Sequence, residues 1–178
     1  MNLAELNQSD SEQAGIELLK CCGSSKWVKN ILAARPFSSA AKLHVQAEKI
    51  WLELAKDDYL EAFAAHPKIG ESKTPEKAKN TESWTSKEQA GMRYAADPLK
   101  LELEQQNRKY EKKFGYIFIV CATGKSAEEM LSLLQQRLEN IPLIELRIAA
   151  SEQNKITNLR LKKCWLTRNS IRCEVELY

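Results

Sequence analysis

The chain contains no long apolar run. The longest, from Ile117 to Ala122, is far short of the ~20 apolar residues that a helix needs to cross a bilayer. The first residues, from Met1 to Asn7, lack the basic start and apolar core of a secretory signal peptide. We therefore expect a protein without a membrane segment that stays in the cytoplasm.

Histidine is scarce, and cysteine pairs of the CxxC type are missing. The chain has two histidines and five cysteines, an odd number that includes the adjacent Cys21 and Cys22. Because this arrangement is untypical of a disulfide framework, we expect reduced thiols. His44 and His66 do not stand at ligand spacing with any cysteine, so the sequence predicts no metal site.

Charge of one sign is also lacking. The 27 basic and 24 acidic residues are mixed along the chain, and the net charge is +3. This bias is too weak to indicate binding to nucleic acid. The chain has no glycine-rich phosphate loop and no serine in a nucleophile elbow. A small anionic ligand remains compatible with the charge balance.

The signals that are present are those of helices. A capping box, in which serine or threonine is followed three residues later by glutamate, begins at Ser9, Thr85 and Ser126. Together with apolar residues at helical spacing, such signals predict helices near residues 10–22, 24–34, 39–54, 57–66, 85–94, 97–114, 126–138 and 142–163. We predict an all-α, single-domain helical bundle of about eight helices over residues 1–163, and a tail of uncertain structure at 164–178.

One segment departs from the helical pattern. Residues 116–122 are rich in β-branched and aromatic side chains, but no second run stands beside them at hairpin spacing. We interpret this segment as a buried extended connector. In the last helix, the spacing of the apolar residues predicts one inward face, made of Ile144, Ile148, Ile156 and Leu159.

His66 stands directly before Pro67 at the end of a predicted helix. Proline disfavours the helical conformation in the preceding residue, so His66 should end the helix and present its ring to the following loop. That loop runs to Trp84, and loops of this length inside a domain are usually functional or mobile. The same placement also fits an ordinary helix end. For His44, in the middle of a helix, we expect a structural or exposed role.

Glu88 and Arg160 each allow two interpretations. Glu88 is the third residue of a predicted helix, where it can cap a backbone amide or help to handle protons beside a histidine. Arg160 follows Leu159 at the border of the apolar face, where its guanidinium could hold a ligand carboxylate or ureido oxygens. Alternatively, the Arg160 side chain extends over the edge of the core into solvent.

Taken together, the motifs resemble those of one family. In order, the chain contains Cys21-Cys22-Gly23-Ser24 with Trp27-Val28, Arg35-Pro36-Phe37, Ala65-His66-Pro67-Lys68-Ile69-Gly70-Glu71, Trp84 with Glu88-Gln89, Tyr110 with Lys113-Phe114-Gly115-Tyr116, Arg137-Leu138-Glu139-Asn140, and Arg160-Leu161. This series resembles 2-oxo-4-hydroxy-4-carboxy-5-ureidoimidazoline decarboxylase, or OHCU decarboxylase. The resemblance extends from about Leu6 to Leu161 and leaves the tail outside.

The resemblance implies an all-α carboxy-lyase that converts an anionic ureidoimidazoline to (S)-allantoin in urate degradation. It implies a cofactor-independent reaction and a homodimer. His66 and Glu88 match the catalytic residues of the family. The residues that match its substrate-binding positions are Pro67, Thr85, Gln89, Ile119, Val120, Cys121 and Arg160. The alternative is a non-catalytic helical module that binds a ureide or purine-like ligand.

Overall fold

A computed structural model describes residues 2–67 and 97–165, and within these ranges the backbone forms eight α-helices and no strand. In chain order they are α1 (Leu3–Gln8), α2 (Ser11–Cys21), α3 (Ser25–Ala33), α4 (Ala40–Leu52), α5 (Lys56–Ala64), α6 (Asp97–Phe114), α7 (Ala127–Leu138) and α8 (Pro142–Trp165). The prediction of an all-α fold of about eight helices is confirmed. The helix predicted at 85–94 lies outside the described residues.

The first helix, α1, is one that we did not predict from the sequence. Its capping box pairs Asn2 with Glu5: the Asn2 side chain accepts from the Glu5 amide at 2.9 Å, and the Glu5 carboxylate accepts from the Asn2 amide at 2.8 Å. The capping box predicted at Ser9 is wrong, because Ser9 ends α1. Asp10 instead caps α2 by accepting from the Gln13 amide at 2.8 Å.

The chain divides into two compact units. Residues 2–62 and 154–165 belong to the first, and residues 63–67 and 97–153 to the second. In the first unit α2 packs against α3, and α3 against α4. Its core contains the fully buried Trp27, whose indole N–H donates to the Ala47 carbonyl at 3.1 Å.

For the starts of α3 and α4 the sequence offers two adjacent serines each, Ser24 or Ser25 and Ser38 or Ser39. Ser24 rather than Ser25 caps α3, accepting from the Trp27 amide at 3.3 Å. Ser39 rather than Ser38 caps α4, accepting from the Lys42 amide at 3.2 Å. A serine, one of the residue types that N-cap positions favour, therefore stands directly before each of the two helices.

Arg35, the first residue of the Arg35-Pro36-Phe37 motif, has a structural task in the first unit. Its guanidinium donates to the Leu6 and Ser9 carbonyls, both at 2.9 Å. These carbonyls lie near the end of α1, where helical carbonyls have no partner within the helix. Arg35 thus supplies these carbonyls with a hydrogen-bond donor from a distant part of the chain.

The second unit has an aromatic core. In it α6 packs against α7, and the Tyr110 ring lies 4.6 Å from Phe114 and 5.2 Å from Phe118 between centroids. Residues 116–122 run between these helices without regular secondary structure, and six of the seven are buried. The predicted buried connector is confirmed. Gly115 begins it with a φ of 80°, a left-handed conformation that glycine adopts without strain.

The inward face predicted for α8 is wrong at its start. Ile144 is 41% exposed, whereas its neighbour Glu145 is fully buried. Further along, the helix buries Gln153, Thr157 and Arg160. The spacing of apolar residues could not reveal this, because four of the eight side chains that the structure describes as buried in α8 are polar. Beyond Trp165, the predicted tail lies outside the described residues.

Candidate functional site

His66 follows the last turn of α5. Its backbone N–H donates to the Phe63 carbonyl at 3.1 Å, and its side chain is half-buried, as is Pro67. The Phe63 ring lies 5.2 Å from the Tyr116 ring, so the end of α5 packs beside the start of the connector. An imidazole at such a position keeps partial access to solvent.

Side chains hold the connector backbone around Ile119 and Cys121. The Ile119 carbonyl accepts from Arg137 Nη1 at 2.8 Å. The Cys121 N–H donates to Glu152 Oε2 at 2.7 Å, and the Cys121 carbonyl accepts from Lys125 Nζ at 2.7 Å. Among the described residues, the peptide N–H and C=O of Val120 have no protein partner. Of the three connector residues predicted to contact ligand, Val120 is thus the one whose N–H and C=O both make no hydrogen bond with the described residues.

Arg137 and Glu145 form the most deeply buried ion pair of the described residues. Nε and Nη2 of Arg137 donate to Glu145 Oε1 at 2.8 and 2.6 Å, and Glu145 Oε2 accepts from Asn140 at 2.7 Å. The Tyr110 hydroxyl also donates to Glu145 Oε1. The guanidinium carbon lies 4.6 Å from the centre of the Phe118 ring. Buried charges need such complete pairing to be tolerated.

The two phenols beside this ion pair stay neutral at physiological pH. Burial, and then the hydrogen bond to Glu145, raises the pKa of Tyr110. Burial, and then the negative charge of Glu145, raises the pKa of Tyr116 to about 12. Neither group can exchange a proton near pH 7, so this cluster is suited to holding structure rather than to acid or base chemistry.

Arg160 lies late in α8 and is 6% exposed. Its Nη1 donates to the Lys20 carbonyl at 3.3 Å, near the end of α2. The alternative of a side chain extended into solvent is therefore wrong. Burial raises the pKa of the neighbouring Cys22 to about 12, and the positive charge of Arg160 is among the weaker effects that oppose this rise.

The four described cysteines carry free thiols: Cys21, Cys22, Cys121 and Cys164. Cys21 Sγ lies 3.8 Å from Cys164 Sγ. The hydrogen bond between these thiols, followed by burial, raises the pKa of Cys21, and the same hydrogen bond lowers the pKa of Cys164. No group of three or more metal-ligating side chains occurs in the part of the chain that the structure describes. Its helices likewise include none that is long and apolar enough to cross a membrane.

The predicted site residues are thus divided. His66, Pro67 and residues 119–121 lie in the second unit, and Arg160 lies in the first. Thr85, Glu88 and Gln89 lie outside the described residues. His44 has the structural role expected for it, because its Nδ1 lies 2.8 Å from Asn158 Oδ1.

Comparison with known proteins decides the family. The family model described as OHCU decarboxylase matches residues 7–162. The chain belongs to the OHCU decarboxylase family. The resemblance inferred from the sequence motifs is therefore confirmed, and it covers almost the same residues.

Two relatives and one solved structure define the similarity. The chain is 40% identical over 159 residues to uric acid degradation bifunctional protein TTL of Arabidopsis thaliana, covering 88% of this chain and 48% of that protein. It is 28% identical over 158 residues to uric acid degradation bifunctional protein PucL of Bacillus subtilis, covering 88% and 31%. The chain thus spans less than half the length of these two relatives.

The solved structure is much closer in length. It is an OHCU decarboxylase crystallised in the presence of (S)-allantoin, with a TM-score of 0.74 and 38% identity. The match covers 85% of this chain and 98% of that chain. The helical fold of this chain is therefore the fold of an OHCU decarboxylase.

Three residues that hold the connector, directly or through one another, were not predicted from the sequence: Arg137, Glu145 and Glu152. Arg137 belongs to a family motif and stands one turn after Leu134 on the buried face of α7, which was a usable signal. A charged residue on an apolar face indicates a buried partner. Nothing local identified Glu145 or Glu152 as the acceptors, because both contacts join separate segments of the chain.

Proposed function

We propose that this protein decarboxylates 2-oxo-4-hydroxy-4-carboxy-5-ureidoimidazoline to (S)-allantoin in urate degradation, without a cofactor. The observation that carries the proposal is the family match over residues 7–162. It is supported by the 38% identity to an OHCU decarboxylase crystallised in the presence of (S)-allantoin. The substrate class is a small anion that carries a carboxylate and ureido groups.

The reaction needs two kinds of help from the protein. When the bond to the carboxylate breaks, carbon dioxide leaves and the electron pair remains as an enolate-like intermediate. Donors placed around the developing charge lower this barrier. The intermediate is flat, so a proton delivered to one face decides the handedness of the product.

We assign the proton to His66 and the anchoring to Arg160. The half-buried His66 after α5 can act as the acid that protonates the intermediate. The buried Arg160 guanidinium can hold the ring or ureido oxygens by parallel hydrogen bonds. Glu88 would position the substrate hydroxyl or act on the departing carboxylate by its charge.

The remaining contacts follow from the family motifs. We propose that the Pro67 backbone, Thr85 and Gln89 contact the substrate. In the connector from Ile119 to Cys121, the hydrogen bonds already made by the outer residues favour the Val120 N–H and C=O as contacts. A ureide presents both donors and acceptors, so it can bind both groups.

His66→Asn tests the assignment of the acid. We expect turnover to fall by about 100-fold or more, because positioned acid catalysis typically contributes 10²–10⁴-fold. Substrate is generated freshly from urate, its decay is followed by absorbance, and the handedness of the allantoin is followed by circular dichroism. His44→Asn is the matched control and should keep the wild-type rate. Unchanged turnover of His66→Asn would refute the role of His66.

We further propose that the protein acts as a cytoplasmic homodimer. The homodimer follows from the family resemblance, and light scattering at several protein concentrations tests it. The cytoplasmic location is proposed from the sequence, because its odd number of cysteines and its lack of CxxC pairs are untypical of a disulfide framework. Fractionation of cells that express a tagged chain tests the compartment. The second candidate, a binding module without turnover, predicts racemic allantoin formed at the uncatalysed rate.

A further inference from the structure

We propose that Arg137 and Glu152 are positioning residues that fix the two peptide planes on either side of the Val120 α-carbon. The statement that these planes contact the substrate rests on the proposed function. The statement that the two side chains fix the planes rests on the geometry of the second unit alone.

The geometry follows from the planarity of the peptide bond. The Ile119 carbonyl and the Val120 N–H belong to one rigid trans plane and point in opposite directions. Arg137 Nη1 donates to that carbonyl at 2.8 Å, so it also sets the direction of the Val120 N–H. The Val120 carbonyl and the Cys121 N–H share the next plane, which Glu152 Oε2 fixes at 2.7 Å. The first plane carries the Val120 N–H as a donor, and the second carries the Val120 C=O as an acceptor.

Arg137 is itself held too tightly to act as a loose surface contact. Its Nε and Nη2 both donate to Glu145 Oε1, and only the remaining arm reaches the Ile119 carbonyl. The Phe118 ring lies against the guanidinium. A guanidinium has a rigid planar fork, so fixing two of its nitrogens fixes the third. Lysine, as a point charge on a flexible stem, cannot reproduce both contacts.

The carboxylate of Glu145 balances the charge of the buried Arg137 guanidinium. It is fully buried and receives further hydrogen bonds from Tyr110 and Asn140. Residues of α6 and α8 therefore hold the side chain of Arg137 on α7, and Arg137 in turn holds one backbone carbonyl of the connector. A role limited to stability would need the ion pair but not the third arm on Ile119.

The test compares Arg137→Lys with the pair Glu152→Ala and Glu152→Gln. Glutamine keeps an acceptor oxygen for the Cys121 N–H, whereas alanine removes it. The KM of Glu152→Gln should therefore lie within about threefold of the wild-type KM. Arg137→Lys and Glu152→Ala should each raise KM about tenfold, the size expected for a lost hydrogen bond to a charged group. Arg108→Lys is the control, because Arg108 pairs with Glu104 at the surface.

The second measurement does not depend on activity. Amide hydrogen exchange is recorded by NMR at Cys121, whose N–H donates to Glu152 and should exchange at least about tenfold faster in Glu152→Ala than in wild type. If Arg137→Lys does not fold, the comparison of Glu152→Ala with Glu152→Gln alone decides the inference. Folded Arg137→Lys and Glu152→Ala with wild-type KM and wild-type exchange would overturn the inference. A wild-type protein without turnover would overturn the proposed function instead, and the exchange rates would then decide the inference.

Discussion

Two arginines of this protein are equally buried but differently held. Arg137 in the second unit is 7% exposed, and Arg160 in the first unit is 6% exposed. Arg137 donates twice to the carboxylate of Glu145, so its charge is balanced within the unit. For Arg160 the structure gives a backbone carbonyl, Lys20 O at 3.3 Å, as one partner. Burial alone therefore does not indicate what a charged side chain does, whereas the chemistry of its partners does.

The largest expected effect concerns stability at the Arg137 position. Glu145→Ala should lower the free energy of unfolding by about 3–5 kcal/mol, because it leaves a buried guanidinium without its carboxylate. Urea denaturation measures the loss. Glu104→Ala is the matched control: its pair with Arg108 has the same 2.6 Å separation as Arg137 and Glu145 but lies at the surface.

For Glu104→Ala we expect the free energy of unfolding to fall by less than about 1 kcal/mol, as is usual for exposed ion pairs. Equal losses in Glu145→Ala and Glu104→Ala would break the contrast between buried and exposed pairs. They would also remove the reason for regarding Arg137 as a fixed structural charge.

The next effect concerns function at the Arg160 position. Arg160→Lys keeps the charge but loses the planar fork, so we expect kcat/KM to fall by about 10- to 100-fold, the cost of a charged hydrogen bond. Arg147→Lys, an exposed position of the same helix, should be unchanged. Steady-state kinetics and thermal unfolding are measured together. A large loss of stability with unchanged kinetics would assign Arg160 a structural role instead of a part in substrate binding.

The smallest expected effect concerns the reactivity of the cysteines in the same unit as Arg160. The pKa of Cys164 is lowered by its hydrogen bond to Cys21, while burial raises the pKa of Cys22 to about 12. Only thiolates react with iodoacetamide, so at pH 8 Cys164 should be alkylated well before Cys22. Rising pH should favour Cys164 first, since its thiolate forms at lower pH. Peptide mass spectrometry measures the order, with urea-unfolded protein as the control in which both react alike.

The sequence predicts well what depends on neighbouring residues. Ser126 caps α7 as its motif indicates, accepting from the Glu129 amide at 3.2 Å. Pro142 begins α8, and α6 ends before Gly115 as expected. Capping and turn chemistry act within a few positions, so a single sequence contains the necessary information.

Contacts between distant segments could not be predicted in this way. The partners Arg137 and Glu145 are eight positions apart but lie on different helices, and Cys121 and Glu152 are separated by 31 positions. The spacing of apolar residues in α8 placed Ile144 inside, because hydrophobic periodicity has no means of representing a fully paired buried glutamate. Their positions in the sequence marked His66 and Arg160 as candidates and the family resemblance implied their roles, but neither predicted the contacts of Arg137 and Glu152 with the connector.

The most direct test of the proposed function is the handedness of the product formed by the intact protein. Freshly generated substrate is mixed with wild-type protein, and circular dichroism is recorded while carbon dioxide is lost. We expect (S)-allantoin to form in large excess and faster than in buffer alone. Racemic allantoin formed at the uncatalysed rate would contradict the proposed decarboxylase activity.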